Sequence, residues 1–359
     1  VTTDTPTPSP TLNDEATPKL STLDRLLPVW IGSAMVGGIL LGRLIPDLND
    51  TLDKVKVDTV SLPIAIGLLA MMYPVLAKVR YRGISAELGD RRTMGLSLVL
   101  NWVVGPALMF TLAWVFLGDL PELRTGLIIV GLARCIAMVL IWNDLACGNS
   151  ELGAVLVAVN SVFQIVMYTV LGWFYLDLLP GWLGLETQSL DVGMWPIAKS
   201  VLIFLGIPLV AGFLTRTILE ARKGTDWYEH SFLPRIGPIA LYGLLFTIVV
   251  LFSLQGDQIL DRPLDVARVA VPLLIYFTLM WFGSFGAGYR LGLPYDRNTS
   301  VAFTAAGNNF ELGIAVAIAV FGVTSGQALA GTIGPLIEVP VLVGLVYVAL
   351  WAKRRWYGG

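Results

Sequence analysis

Histidine and cysteine are almost missing from this chain of 359 residues: His230 is the one histidine, and Cys135 and Cys147 are the two cysteines. Transition-metal sites draw on several such ligands, and His230, expected in a charged loop, cannot build one alone. Two cysteines in or beside apolar runs do not make a disulfide framework. Charge is scarce too. Asp, Glu, Lys and Arg make up 14% of the chain, the formal net charge is −2, and no basic cluster stands out, which argues against a nucleic-acid partner. What the chain has instead is apolar surface, with 55% hydrophobic residues and a mean hydropathy of +0.73. A single soluble core could not hide that much. A soluble enzyme is thereby excluded, and an all-α polytopic membrane protein is expected.

Residues 1–22 are Thr/Pro-rich, acidic and without an apolar face, so a disordered tail is expected rather than a signal peptide. From Leu26 onward, apolar runs of about the 20 residues a helix needs to cross the hydrocarbon recur almost without pause. Ten are expected: 27–45, 61–79, 95–117, 124–146, 152–176, 195–216, 235–254, 268–290, 299–322 and 329–352. Asp144, Gly148, Asn149, Ser150 and Glu151 mark the turn between the fourth and fifth. With the N-terminus inside, sixteen of the 24 Lys and Arg fall on the cytoplasmic side and seven outside, and Arg134 is left within the membrane. Both termini are therefore expected in the cytoplasm.

The chain also resembles itself. A shift of 175 lays Pro63-Ile64-Ala65 on Pro238-Ile239-Ala240, and a shift of 174 lays Val36, Gly38 and Leu40 on Val210, Gly212 and Leu214. This divides the chain into two five-helix halves, 23–180 and 190–355. Five is odd, so the second half enters the membrane upside down. Inverted repeats of this kind are the signature of alternating-access transporters. The shift of 175 sets Arg134 against Asn309 and Cys135 against Phe310, making the fourth and ninth runs equivalent.

Polar residues inside apolar runs are costly and mark pathways. Gly307-Asn308-Asn309 is a poor run for a continuous helix, since Gly loses backbone entropy and Asn competes for backbone hydrogen bonds. It reads either as a break or as cross-linking amides. In the fourth run a break rests on Gly131 and Arg134. Glu311 reads either as a proton carrier or as a fixed counter-ion for Arg134, and Glu338, between Pro335 and Pro340, is a second buried acid. A shift of 174 sets Glu338 on Gln164. Asn160, Gln164 and Tyr168 form a stripe at i, i+4 and i+8, suited to interhelical bonding or to lining a cavity. Arg134 favours the thiolate of Cys135 whereas burial favours the thiol, and Trp142 is expected on the same helical face. Cys147 reads as a spectator. Asn101, Trp102 and Trp114 could line a cavity in the third run.

The segments LARCIAMVLIWNDLACGNSELGAVLVAVNS, AAGNNFELGIAVAIAVFG and GPLIEVPVLVGLVYVAL together resemble the Acr3 family of arsenite permeases, within the bile acid/arsenite/riboflavin transporter superfamily. The likeness covers about residues 25–355. It implies ten helices with broken, crossing fourth and ninth members. It also implies export of trivalent arsenic, in some members antimonite, driven by the proton gradient and without a cofactor, across the cell membrane. By this resemblance Cys135 and Glu311 are the essential residues, and Asn101, Trp114, Arg134, Trp142, Asn160, Asn309, Phe310 and Glu338 are further sensitive positions. One thiol helped by oxygen and amide donors such as Asn308 could bind trivalent arsenic and release it, where three thiols would trap it. The rival within the same fold is a sodium-coupled symporter of organic anions.

Overall fold

The computed structural model describes residues 26–45, 56–57, 60–79, 89–136, 138–185 and 194–358. The expected tail, 1–22, and residues 186–189 of the link between the two expected halves lie outside the described residues. Apart from a two-residue antiparallel pair, Lys56–Val57 with Val60–Ser61, the described elements are helices. In chain order these are α1 (Leu27–Leu44), α2 (Leu62–Ala77), α3 (Arg91–Leu117), α4 (Pro121–Leu132), α5 (Met138–Leu145) and α6 (Ser150–Trp182). They continue with α7 (Met194–Lys223), α8 (Leu233–Asp261), α9 (Pro263–Arg290), α10 (Tyr295–Ala306), α11 (Phe310–Phe321) and α12 (Gly326–Trp356). Among the described residues six helical stretches are long and apolar enough to cross a membrane: α3, α6, α7, α9, α12 and Thr225–Gly256, which enters α8. The expected fourth and ninth runs each appear as two shorter helices, α4/α5 and α10/α11. The segment expected as a charged loop around His230 is instead helical, Tyr228–Phe232, with the His230 ring nitrogen Nδ1 3.1 Å from the Asp226 carbonyl oxygen.

Prolines shape several of the long helices. Among the described residues four π-helical turns occur, at Leu100–Val104, Phe174–Leu178, Leu202–Gly206 and Tyr228–Phe232, and each ends two residues before a proline: Pro106, Pro180, Pro208 and Pro234. A proline has no N–H to donate, and its ring would press on the carbonyl one turn back. Widening that turn moves the carbonyl aside, so the helix continues. Pro335 and Pro340 are carried within α12 without such a turn.

The helices sort into two packed groups. In one, α8 lies against α1 and α2, and α7 against α2. In the other, α9 packs on α10, α12 and α3, while α4 packs on α3, α12 and α11. Small residues allow the closest approaches. A Cβ on Gly38 of α1 would stand 2.6 Å from the Val249 carbonyl oxygen of α8, and one on Gly212 of α7 would stand 2.8 Å from the Ala77 nitrogen of α2. These two glycines are the pair matched by the 174 shift, and their flanking residues Val36, Leu40, Val210 and Leu214 are 59%, 54%, 56% and 47% exposed. Such faces suit lipid, not water.

Candidate functional site: the crossing of two broken helices

Helix α4 stops at Leu132, and Ala133 turns extended (φ −84°, ψ 123°). Helix α10 stops at Ala306, and Gly307 does the same (φ −72°, ψ 142°). A helix end in an apolar interior leaves backbone groups without partners. Here each break supplies the other's. The Cys135 N–H donates to the Gly307 carbonyl at 3.2 Å, and the Asn309 N–H donates to the Ala133 carbonyl at 3.0 Å. Arg134 and Asn308 face each other between these bonds as an antiparallel bridge. Arg134 therefore faces Asn308, 174 residues on, and not Asn309, which the 175 shift set against it; Cys135 meets Gly307, not Phe310. Gly131 does not make the break either. It lies inside α4, where a Cβ would come within 2.2 Å of the Met109 side chain.

Arg134 is fully buried. Its guanidinium donates to the Tyr276 hydroxyl at 2.9 Å and to the Gly131 carbonyl, and its backbone N–H donates to Gln164 Oε1. No ion pair joins it to a carboxylate among the described residues, so the counter-ion reading of Glu311 finds no contact. The Tyr276 hydroxyl in turn donates to Asn308 Oδ1 at 3.4 Å. Tyr276, on α9, links the two breaks and was not singled out in the sequence; nothing in its apolar surroundings sets it apart from the chain's other tyrosines.

The second break holds the acids. Asn309 caps α11, its side chain accepting the Leu312 N–H at 3.0 Å. Glu311 sits in the first turn of that helix, at its positive end, and is partly exposed. Glu338, 1% exposed, accepts the Asn308 N–H at 3.3 Å, and the charged groups near enough to act on it are Glu311 and Arg134. Phe310 is 1% exposed and wedged over Gly334, where any Cβ would meet its ring at 1.7 Å. It packs rather than lines. Several buried donors around the crossing have no protein partner: Arg134 Nε, Asn308 Nδ2, Asn309 Nδ2 and Gln164 Nε2. Convergent donors of this kind suit a small ligand rich in oxygen.

The remaining expected residues divide. Asn101 and Trp102 lie in the π-helical turn of α3, joined to α6 by Trp102 Nε1 to Asn160 Oδ1 at 3.1 Å and Asn160 Nδ2 to Asn101 Oδ1 at 3.4 Å. Further along the stripe, Tyr168 donates to the Ile129 carbonyl at 2.9 Å. Asn160 and Tyr168 thus bond to other helices, and Gln164 to the first break. Trp114 stands apart: its ring lies under the Arg124 guanidinium, 3.7 Å from the centroid, about 13 Å along α3 from Gly105, which meets Arg134. Trp142 is buried in α5, but Cys135 belongs to the break and to no helix, so the two share no helical face. Cys147 ends a turn after α5 with φ 54°, away from the crossing. Neither cysteine is in a disulfide.

Half-helix ends meeting inside an apolar bundle are how secondary transporters build their sites. Residues 65–262 match the Sodium Bile acid symporter family. An arsenical-resistance protein Acr3 of Corynebacterium glutamicum is 61% identical over 333 residues, 93% of this chain and 90% of that one. An uncharacterized transporter of Synechocystis is 37% identical over 358 residues, 93% and 91% of the two chains. A second Acr3, from Alkaliphilus metalliredigens, is 32% identical over 344 residues, 93% and 94%. The chain belongs to the Acr3 arsenical-resistance proteins of the Sodium Bile acid symporter family, and is a multi-pass membrane transporter.

Proposed function

We propose that this chain exports trivalent arsenic from the cytoplasm across the cell membrane by exchange with protons. The observation that carries the reading is Cys135 itself, a thiol placed in the crossing of a chain 61% identical to an arsenical-resistance protein. Trivalent arsenic in neutral water is mostly the uncharged trihydroxide, and its soft centre prefers sulfur. The Cys135 thiol displaces one hydroxide: an S–As bond forms, an As–O bond breaks, and the thiol proton leaves with the hydroxide as water. Arsenic remains trivalent throughout. The two remaining hydroxyls accept from the unpartnered donors of Asn308, Asn309, Gln164 and Arg134. Water reverses the step on the far side. Glu311, at the positive end of α11 and partly exposed, is the group that takes the incoming proton, with Glu338 behind it.

The same reading takes the chain as two inverted halves of five spans each, both termini cytoplasmic. Support comes from the paired bonds of the two breaks, and from Gly38 and Gly212, each set close against a neighbouring helix. Arsenite uptake into inverted vesicles under an imposed pH gradient tests the function: uptake follows the gradient and collapses when it is dissipated. A second reading, sodium-coupled symport of an organic anion, is favoured by the description of the matching family. It predicts uptake that follows a sodium gradient and ignores Cys135.

A further inference from the structure

The backbone exchange between the breaks leaves one N–H on each side unaccounted for, that of Arg134 on the first and that of Asn308 on the second. Each is met by a side chain thirty residues further along the chain: Gln164 Oε1 accepts from Arg134, and Glu338 Oε1 accepts from Asn308 at 3.3 Å. Both acceptors are buried, 0% and 1% exposed. Donors and acceptors alike are related by the offset of 174 that relates the breaks. We propose that Gln164 is a positioning residue, holding the first break in shape as Glu338 holds the second, and thereby setting where Cys135 stands.

An unmet N–H at this depth is costly, with no water to replace its partner. Removing the Gln164 oxygen therefore favours rearrangement of Ala133–Cys135, one residue from the thiol. A Gln164 that merely glued α6 to its neighbours would leave Cys135 undisturbed. The two holds also differ in kind. Glu338 is faced by Glu311 of α11 and Arg134 of the first break, lies close to Gly307 and hence to Cys135, and touches Tyr276 of α9 through Asn308. Glu338 can gain a proton, whereas the Gln164 amide holds its break at any pH.

This deepens the transport reading by naming what shapes its site, and its test needs no arsenic, so the two can fail separately. In the full chain carrying Cys147→Ser, the rate at which N-ethylmaleimide alkylates Cys135 reports the shape of the first break. Gln164→Leu removes the acceptor, Gln164→Asn draws it back by one methylene, and Gln164→Glu keeps both reach and oxygen. The expected result is a rate about tenfold higher in the Leu and Asn variants, equivalent to one lost buried hydrogen bond, with the Glu variant close to the parent. Parental rates in Leu and Asn overturn the proposal. If the Leu variant does not fold, the Asn and Glu pair decides: equal rates in those two overturn it.

Discussion

The first break and the second are built on one backbone plan and furnished with opposite chemistry. Around Ala133–Cys135 stand a thiol, a guanidinium and an amide; around Gly307–Asn309 stand two amides and two carboxylates. The backbone bonds between them are nearly interchangeable, 3.2 Å and 3.0 Å. The thiol thus lies in one break, and the carboxylates stand at the other.

The sharpest way to break that division is Cys135→Ser. Oxygen is a poor ligand for a soft centre, so arsenite transport into inverted vesicles should be lost, while the purified protein melts as the parent does. Unimpaired transport would return the first break to a purely structural role. Glu311→Gln probes the other side: arsenite-dependent proton movement, followed with a pH dye in proteoliposomes, should disappear while Cys135 still protects arsenite from external chelator. Proton movement that persists in step with arsenite would move the coupling role elsewhere. Tyr276→Phe tests the link between the two, removing the partner of Arg134 and of Asn308. It should lower stability by about 1–3 kcal/mol, seen as a drop in the melting temperature of the purified protein.

The smallest effect lies outside the crossing. Asp90 caps α3: its carboxylate accepts from the Thr93 hydroxyl at 2.6 Å and its backbone N–H at 3.2 Å, and it pairs with Arg297 at 3.0 Å. The Thr93 hydroxyl first, then the Thr93 N–H and Arg297, hold Asp90 below the usual carboxylate range. A carboxylate depressed in the folded state stabilises it above the unfolded value and loses that contribution as pH falls through the folded one. Asp90→Asn should therefore lower stability modestly at pH 7, where that contribution is present, and flatten its acid-side decline, measured as melting temperature between pH 3 and 7.

Much of this was legible in residue order alone, because lipid permits few solutions. Apolar runs such as 268–290 and 329–352 lie inside helices α9 and α12, since nothing but a helix satisfies its backbone there. The second break was legible in Gly307-Asn308-Asn309, whose residues resist helix. The first was legible only through Arg134: its neighbours Ala133 and Cys135 carry no helix-breaking signal, and the backbone bonds they make are with residues 309 and 307, a tertiary feature no local pattern carries. For the same reason the facing of Arg134 with Asn308, and the part of Tyr276, were not legible.

The mutual bonding of the breaks also bears on how the chain is made. Residues 133–135 are synthesised long before residues 307–309 exist. At about 5–20 residues per second, the first break waits roughly ten to thirty seconds for the segment that completes it. During that interval its backbone groups must find temporary partners, a neighbouring helix, headgroups or an insertion chaperone, or else close into a continuous helix that later has to reopen. The crossing is thus a late event in biogenesis, and a truncated first half of this chain carries an unfinished seam.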